Sequence, residues 1–137
     1  MNAGAKDDVI VGAAIVRAGR LLAAQRSYPA DLAGYWELPG GRVEAGESEA
    51  EALRRECVEE LAVTVRVGER VGTDVALPGG KSLRVYAAEL VERGREPVAV
   101  EHKDLRWLAA AELDDLAWLP ADRVLLPALR ELIATSG

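Results

Sequence analysis

Residues 41–63 read GRVEAGESEAEALRRECVEELAV, a glycine-containing loop that leads into a segment with helical patterning. Ser48 and, three residues later, Glu51 form the pattern of a capping box, which predicts that a helix begins there. Apolar residues recur at helical spacing as far as Leu61. The stretch therefore predicts one amphipathic helix entered from a tight loop, and the rest of the fold has to cover its apolar face.

The charged face of this predicted helix carries a group of acids. Glu56, Glu59 and Glu60 lie close together with no lysine among them. At about 100° per residue they form one stripe beside the buried stripe, where like-charged neighbours cost about 0.2–0.5 kcal/mol per pair. Arg55 projects about 100° away from Glu56, so it is not expected to neutralise the whole cluster, although it can pair with Glu51 or Glu59. A hard divalent cation would offset the repulsion, and a solvated acidic face is the alternative.

The loop in front of the helix favours the metal interpretation. Pro39, Gly40, Gly41 and Gly46 precede the helix, with Glu47 at its mouth. Glycines let the main chain approach a ligand closely, and a carbonyl such as that of Gly40 can serve as a further oxygen ligand. A plain tight turn is the alternative for the glycine pair alone.

Composition excludes several classes of function. The 137 residues fit one domain, 1–137, and 29 % charged residues are ordinary for a globular protein. The net charge of −6 repels polyphosphate backbones, so polymeric nucleic acid is not an expected partner. The single cysteine, Cys57, excludes an intrachain disulfide. The start, MNAGAKDD, lacks the pattern of an export signal, and no run approaches the ~18 apolar residues of a membrane span. We therefore expect a cytoplasmic protein.

The order of the remaining segments predicts a mixed α/β architecture and not a regular parallel winding. Residues 27–47 are mostly loop, with a short extended piece at 35–38. The predicted strands are 9–16, 21–26, 65–77, 82–92 and 104–108, and the further predicted helices are 110–118 and 122–133, the last beginning just after Pro120.

From Gly41 the chain resembles the Nudix box: Gly, five residues, Glu, seven residues, Arg-Glu, an apolar residue, any residue, Glu-Glu, any residue, Gly and an apolar residue. The matching positions are Gly41, Glu47, Arg55, Glu56, Cys57, Glu59, Glu60 and Val63. The one departure is Ala62, where the family has glycine. In the family that glycine ends the helix in a left-handed turn, where a Cβ costs roughly 1–2 kcal/mol. The departure concerns the helix end and not the metal site.

The resemblance extends over nearly the whole chain and narrows to the MutT-like branch with CTP pyrophosphohydrolase and actinobacterial 8-oxo-dGTP diphosphatases. The stretches that carry it are QRSYPADLAGYWELPGG (25–41), EHKDLRW (101–107) and WLPADRVLLPALREL (118–132). It implies an α/β (α+β) Nudix fold, with a mixed β-sheet sandwiched between helices. It also implies an enzyme that uses Mg²⁺ or Mn²⁺ and an attacking water at the β-phosphorus, which gives a nucleoside monophosphate and pyrophosphate.

The resemblance also implies roles for individual residues. Glu56, Glu59 and Glu60 correspond to metal ligands, with the Gly40 carbonyl and Glu101 completing the set. Glu59, Glu60 and Glu101 are the candidates for the general base, and the sequence does not choose among them. Arg55 and Glu47 are expected to hold the loop and the helix in register.

The implied substrate-binding residues are Leu38, Arg26, Lys81 and Asp122. Arg26 corresponds to a phosphate-contacting arginine, and Lys81 is placed near the sugar or base; a solvated strand-end charge is the alternative for both. Asp122 lies where the branch places a base-reading side chain, and a carboxylate acceptor suits the amino and imino edges of cytosine or an oxidised guanine. An N-cap of the last helix is the alternative for Asp122. His102, a lone histidine in a loop, is expected to be structural.

The sequence thus predicts a Mg²⁺-dependent pyrophosphohydrolase whose substrate is a nucleoside triphosphate such as 8-oxo-dGTP or (d)CTP, acting as a monomer or homodimer. One alternative is a Nudix enzyme that cleaves ADP-ribose or another nucleoside diphosphate derivative, because Pro78 follows Val63 at roughly the spacing of those enzymes. A turn in LPGGK explains this proline equally well. A nucleotide-sensing domain without activity is the third possibility, although such modules usually lose acids of the box.

Overall fold

The computed structural model describes residues 8–136; the expectation that residues 1–7 do not form an export signal lies outside this range. Within it, the chain forms seven strands and three α-helices. The strands are β1 (Val9–Arg17), β2 (Arg20–Gln25), β3 (Trp36–Glu37), β4 (Gly40–Arg42), β5 (Val65–Ala76), β6 (Ser82–Leu90) and β7 (Asp104–Leu108). The α-helices are α1 (Glu49–Leu61), α2 (Pro120–Val124) and α3 (Leu126–Ser136), and short 3-10 helices cover Pro78–Gly80 and Ala110–Asp115. None of the described helices is long and apolar enough to cross a membrane.

The strands form one mixed sheet. Its main order is β3-β2-β1-β6-β5, with β4 paired to β1 and β7 paired to β2. The β1–β6 pair is parallel and the other pairs are antiparallel. The predicted mixed sheet is therefore confirmed, and its one parallel pair runs through the centre.

Helices cover both faces of the sheet. Along β1, Val11, Ala13 and Ile15 belong to the core cluster on the α1 side, whereas Ala14 belongs to the cluster on the α3 side. This alternation is the period of two that a strand imposes on its side chains. The buried face of α1 consists of Ala52, Leu53, Cys57 and Leu61, and that of α3 of Leu126, Leu129 and Ile133.

Three elements differ from the sequence prediction. The predicted loop contains β4, because Gly40–Arg42 pairs with Ile10–Gly12 of β1, a tertiary contact that short glycine-rich segments do not reveal by their periodicity. Residues 110–115 form a 3-10 helix within the predicted helix 110–118. The predicted helix 122–133 is two helices, α2 and α3, and α2 includes Pro120 itself as its first residue.

The break between α2 and α3 has a covalent cause. Leu125 separates the two helices, two residues before Pro127. Proline lacks the N–H that a helix interior needs, and its ring collides with the carbonyl four residues earlier, whereas it is tolerated in the first turn of a helix. The chain therefore ends α2 and starts α3 so that Pro127 falls in the first turn of α3.

A candidate active site on the acidic face of helix α1

The glycine loop lies directly against the acids of α1. The Gly40 amide donates a hydrogen bond to Glu60 Oε1 at 3.2 Å. A Cβ built on Gly41 would lie 2.2 Å from Glu56 Oε2, and one on Gly40 would lie 1.9 Å from the Val11 carbonyl oxygen. A side chain at either position would collide with these atoms, so Gly40 and Gly41 let the main chain of the loop lie directly against the carboxylates of α1.

Glu56 and Glu60 are partly buried carboxyls that lie close to each other, so ionising both is unfavourable. Burial, followed by the negative charge of Glu56, raises the pKa of Glu60 well above its ordinary value. Burial also raises the pKa of Glu56, against the opposing effect of Arg55. The two carboxyls are close enough to hydrogen bond when one of them holds a proton. A partly buried carboxyl pair of this kind is stabilised either by a shared proton or by a cation.

Arg55 organises the other side of the site. Its guanidinium donates to Glu47 at 2.7 and 3.0 Å and to the Arg42 carbonyl at 3.0 Å, which ties the loop to the helix. Hydrogen bonding to Arg55 lowers the pKa of Glu47 to about 2. These contacts agree with the predicted role of Arg55 and Glu47 in keeping the loop and the helix in register.

Arg55 also contacts two of the three acids. Its guanidinium donates to Glu59 at 3.3 Å, as predicted, and to Glu56 at 3.1 Å, a contact that the direction of the side chain on the helix did not indicate. The Arg55 side chain is long, so its guanidinium reaches residues toward which its Cα–Cβ bond does not point. Glu51 is not its partner, because the Glu51 side chain accepts from the Ser48 amide in the capping box.

The donor set fits a hard divalent cation in chemistry. Glu56, Glu59 and Glu60 offer carboxylate oxygens from one helix, and Gly40 lies beside them in β4. Within residues 8–136, however, no three acidic, histidine or cysteine side chains stand in an arrangement that could hold an ion. Arg55 engages two of the acids and the Gly40 amide engages the third. The ligand set therefore stays a prediction, and metal binding would require these side chains to reorient.

Glu101, the remaining predicted ligand, lies across a small polar pocket from α1. The pocket has a volume of about 50 Å³ and is lined by Arg26, Ser27, Tyr28, Glu37, Glu60, Glu101 and His102. The Ser27 hydroxyl donates to the Glu101 carbonyl at 2.9 Å, which fixes the backbone of the loop there. The structure thus brings Glu101 and Glu60 to one pocket, 41 residues apart in sequence.

Two residues of this pocket were missed by sequence reasoning. Glu37 accepts hydrogen bonds from Arg26 at 3.1 and 3.2 Å and lies 2.9 Å from His102 Nε2. His102, expected to be structural, therefore belongs to the same pocket as the predicted ligands Glu60 and Glu101. The available signal was local: Glu37 is an acid on a short strand directly before the glycine loop, and His102 follows Glu101.

A larger cleft of about 560 Å³ adjoins this pocket. Its lining includes Gly40, Gly41 and Glu60 together with Leu38 and Asp122. The mostly apolar character of the remaining lining comes from Ile10, Val11, Leu32, Ala76, Leu77, Pro78, Leu83 and Leu119. The size and lining are those of a small-molecule site.

Asp122 is a buried carboxyl in this cleft, and the capping alternative for it is wrong. Leu119 occupies the N-cap of α2, and Asp122 Oδ2 instead accepts a hydrogen bond from the Leu38 amide at 3.0 Å. Burial raises the pKa of Asp122 to about 7. Near neutral pH the carboxyl therefore exists in both forms and can donate as well as accept a hydrogen bond.

The structure separates Lys81 from the other predicted substrate-binding residues. Arg26, Leu38 and Asp122 all line the cleft, whereas Lys81 follows the 3-10 turn between β5 and β6 and is not among the lining residues. From that turn Pro78 reaches the cleft wall. A substrate contact of Lys81 stays a prediction.

The structure places the glycine loop, the three acids of α1 and a cleft of about 560 Å³ next to one another. The sequence model of the NUDIX domain matches residues 6–129. The chain belongs to the Nudix family. It is a Nudix hydrolase, as the sequence predicted, and enzymes of this family act on nucleotide substrates and generally need a divalent metal ion.

Relatives place this Nudix hydrolase among the nucleotide pyrophosphohydrolases. It is 52 % identical over 120 residues to a Mycobacterium tuberculosis protein named "Putative 8-oxo-dGTP diphosphatase 2", with 85 % of this chain and 84 % of the relative covered. It is 38 % identical over 125 residues to the "CTP pyrophosphohydrolase" of Escherichia coli, with 91 % and 93 % covered.

Solved structures confirm the Nudix fold. The solution structure of the E. coli ORF135 protein superposes with a TM-score of 0.77 at 37 % identity and covers 93 % of this chain and 91 % of its own. The MutT NUDIX hydrolase from Burkholderia pseudomallei gives a TM-score of 0.72 at 32 % identity, covering 88 % of this chain and 96 % of its own. The predicted MutT-like resemblance is therefore confirmed.

Proposed function

We propose that this Nudix hydrolase cleaves nucleoside triphosphates, 8-oxo-dGTP and (d)CTP among them, to the monophosphate and pyrophosphate with Mg²⁺ as cofactor. Mn²⁺ can substitute for Mg²⁺, because both ions prefer oxygen ligands. The names of the two relatives support the substrate class. The nucleotide pool of the cytoplasm would supply these substrates, and the buried free thiol of Cys57 is compatible with that compartment.

One observation carries the proposal: Glu60, Arg26 and Glu37 line both the polar pocket and the apolar cleft. A ligand with an apolar ring at one end and phosphates at the other fits two adjoining spaces of this kind. The base would lie in the cleft near Leu38 and Asp122, and the phosphates would extend to the junction at Glu60.

The charges at the junction explain why a cation is needed. Arg26 is the one lysine or arginine among the described residues that line the two cavities, and Glu37 already neutralises much of its charge. A triphosphate would meet a net negative wall that includes Glu60 and Glu101. A divalent ion bound to these acids would offset their negative charge and attract the phosphates.

The chain and the ion have separate parts in the proposed reaction. A bound divalent ion would polarise phosphoryl oxygens, neutralise developing charge and lower the pKa of a bound water. Glu56, Glu59 and Glu60, with the Gly40 carbonyl and Glu101, would hold it. One of Glu59, Glu60 and Glu101 would accept the proton of the attacking water. Arg55 and Glu47 would keep the loop and the helix at a fixed separation.

A substrate panel tests this function. The purified protein is incubated with Mg²⁺ and 8-oxo-dGTP, dGTP, dCTP, CTP or ADP-ribose, and the products are identified by chromatography and a phosphate assay. Pyrophosphate and a monophosphate are expected from the triphosphates, and activity should disappear with a chelator and return with Mg²⁺. AMP from ADP-ribose with no turnover of triphosphates would favour the alternative enzyme class. Light scattering on the same sample distinguishes monomer from homodimer.

The role of Asp122 in base choice has its own test. Asp122→Asn retains an acceptor for the Leu38 amide but cannot ionise, so it separates folding from recognition. If Asp122 reads the base, the ranking of cytosine and oxidised guanine substrates by kcat/KM should change in this variant. An unchanged ranking would mean that Asp122 only joins α2 to the loop through its hydrogen bond from the Leu38 amide.

A further inference from the structure

Segment 91–103 joins β6 to β7, has no regular secondary structure and carries Glu101 near its end. Long connections of this kind are uncommon in compact domains and are often functional. The segment passes along the end of α1, where the Val100 amide donates to the Glu60 carbonyl at 3.1 Å. Its position therefore affects how Glu101 and Glu60, which both line the polar pocket, stand relative to each other.

Few polar side chains hold this segment to the rest of the fold. Within residues 8–136, only Glu96 and His102 of the segment form side-chain hydrogen bonds or ion pairs with residues outside it. His102 lies in the polar pocket, whereas the side chain of Glu96 is 66 % exposed and lines neither that pocket nor the cleft. Glu96 thus anchors the segment from a place outside the proposed site.

Side chains from β1 and β7 meet at Glu96. Arg17, the last residue of β1, donates to both carboxylate oxygens of Glu96 at 3.0 Å, and Trp107 Nε1 of β7 donates to Oε2 at 3.2 Å. The Arg17 guanidinium also lies over the Trp107 ring, 4.2 Å from its centroid. An isolated exposed ion pair contributes little to stability, but a two-pronged arginine–carboxylate pair within a network is the exception. The three side chains therefore resist displacement of Glu96.

We propose that Glu96 is a positioning residue: together with Arg17 and Trp107 it fixes segment 91–103 against the sheet and thereby holds Glu101 across the polar pocket from α1. Glu96 lines neither cavity, so its effect passes through the main chain of the segment. Loss of the cluster would free the segment and leave Glu101 less precisely placed. This inference rests on the proposed function, because it gives Glu96 a part in placing a predicted metal ligand.

Matched variants isolate this cluster. Glu96→Gln keeps the shape of the side chain and an acceptor for Trp107, but it loses the charge and the two-pronged pair with Arg17. Arg17→Gln removes the same pair from the β1 side, and the double variant tests whether the two residues act together. Glu92→Gln is the control, because Glu92 is an exposed glutamate whose ion pair with Arg95, at 3.1 Å, lies within the same segment.

The first measurement is the steady-state hydrolysis rate. Glu96→Gln should lower kcat about 10-fold, as loss of an outer partner of a metal ligand does, with KM nearly unchanged because the cleft is intact. Arg17→Gln should give a similar loss, and the double variant should lose no more than either single change, since both remove one interaction. Glu92→Gln should match the wild type.

The kinetic split separates positioning from a merely structural role. A structural role would lower the urea unfolding free energy of Glu96→Gln and leave kcat unchanged below the unfolding transition. If the wild type turns over triphosphates and Glu96→Gln has the same kcat, the inference is wrong while the proposed function stands.

A second readout does not depend on activity. Amide hydrogen exchange of the metal-free protein is followed by NMR at Val98 and Val100, which donate to carbonyls at the end of α1, and at Leu129, which donates within the buried face of α3. Glu96→Gln should lower protection at Val98 and Val100 about 10-fold and leave Leu129 unchanged. Unchanged protection at Val98 and Val100, or an equal loss at Leu129, would overturn the inference even if the substrate panel showed no turnover.

Discussion

The two ends of helix α1 are stabilised in opposite ways. At the first turn, the Ser48 hydroxyl and the Glu51 carboxylate form the reciprocal capping bonds, and Glu49 accepts from Arg84 and Tyr86. Acids at this end favour the positive end of the helix dipole. At the last turn there is no basic residue, and Glu60 lies at the negative end of the dipole. The capping box and the acids stabilise the first end, whereas the acid at the second end interacts unfavourably with the helix dipole.

Distant residues hold the second end in place. The Val98 and Val100 amides donate to the Leu61 and Glu60 carbonyls at 2.9 and 3.1 Å. Ala62 adopts a left-handed conformation, with φ 58° and ψ 36°, and its amide closes the helix on Cys57 and Val58. The segment that satisfies these carbonyls leads directly to Glu101. The costly end of the helix is thus also the end at which the acids of the site are brought together.

The largest effect should come from Glu60→Gln. The amide keeps an acceptor for Gly40 and cannot ionise, so the fold should be at least as stable, while kcat/KM should fall by at least about 100-fold because an electrostatic group of the site is lost. Steady-state kinetics and urea unfolding of one preparation measure both effects.

Glu69→Gln is the matched control for this change. Glu69 is an exposed glutamate on β5, so the same substitution should leave activity unchanged and stability within about 0.5 kcal/mol. A Glu60→Gln variant with near-normal turnover would remove Glu60 from the reaction and reduce the second end of α1 to a purely structural feature.

Asp122→Asn tests the cost of burying a carboxyl in the first turn of a helix, the opposite end from that of Glu60 in α1. The folded-state pKa of about 7 lies above the unfolded value near 3.8, so the stability contributed by the proton is present below pH 3.8 and is lost as pH rises through 7. The Asn variant lacks this loss. Relative to wild type it should gain up to about 1.4 kcal/mol per pH unit within that window.

Urea unfolding of both proteins between pH 4 and pH 8 measures this difference. Because all other ionisable groups are shared, their contributions cancel when the two curves are subtracted. A difference that does not vary with pH would show that Asp122 is ionised in the folded protein throughout this range.

The contrast between the two ends also marks what the sequence could predict. The first end was predictable, because a capping box is a contact between Ser48 and Glu51 that local spacing encodes. The Nudix box likewise predicts, by position alone, that Glu56, Glu59 and Glu60 are acids of the site. The pocket around Glu37 and His102 could not be predicted in this way, since it depends on the approach of segments 65 residues apart. Local patterns do not specify such long-range contacts.

The same limit explains the errors in the fold. Strand β4 exists only through its pairing with β1, and a three-residue segment with two glycines carries no periodicity. The sequence predicted that Arg55 could pair with Glu59, and its further contact with Glu56 depends on a flexible side chain whose path a helical wheel does not give. The capped helix α1 and most strands were predicted, whereas β4, the division of the last predicted helix and the contacts made by loops and long side chains were not.

Ser48→Ala should weaken the first end of α1, where Ser48 is the N-cap. Loss of the hydroxyl leaves the Glu51 amide without its cap, which costs about 1 kcal/mol of unfolding free energy. Because the acids of the site lie at the other end, kcat/KM should remain within twofold of wild type. A large loss of activity at unchanged stability would show that the two ends are coupled. Ser48→Thr, which keeps a capping hydroxyl, is the matched control.

Ala62→Gly should have the smallest effect. It tests whether the backbone strain at the second end of α1 is confined to Ala62. A left-handed alanine costs roughly 1–2 kcal/mol, and glycine loses about 0.5–1 kcal/mol of backbone freedom in return, so we expect a net gain of about 0.5–1 kcal/mol. Ala18 has φ 51° in the turn between β1 and β2, so Ala18→Gly is the matched control. Equal gains in urea unfolding would mean that the cost is local to each residue. A smaller gain at Ala62 would mean that the bonds from Val98 and Val100 hold the helix end whichever residue occupies the cap.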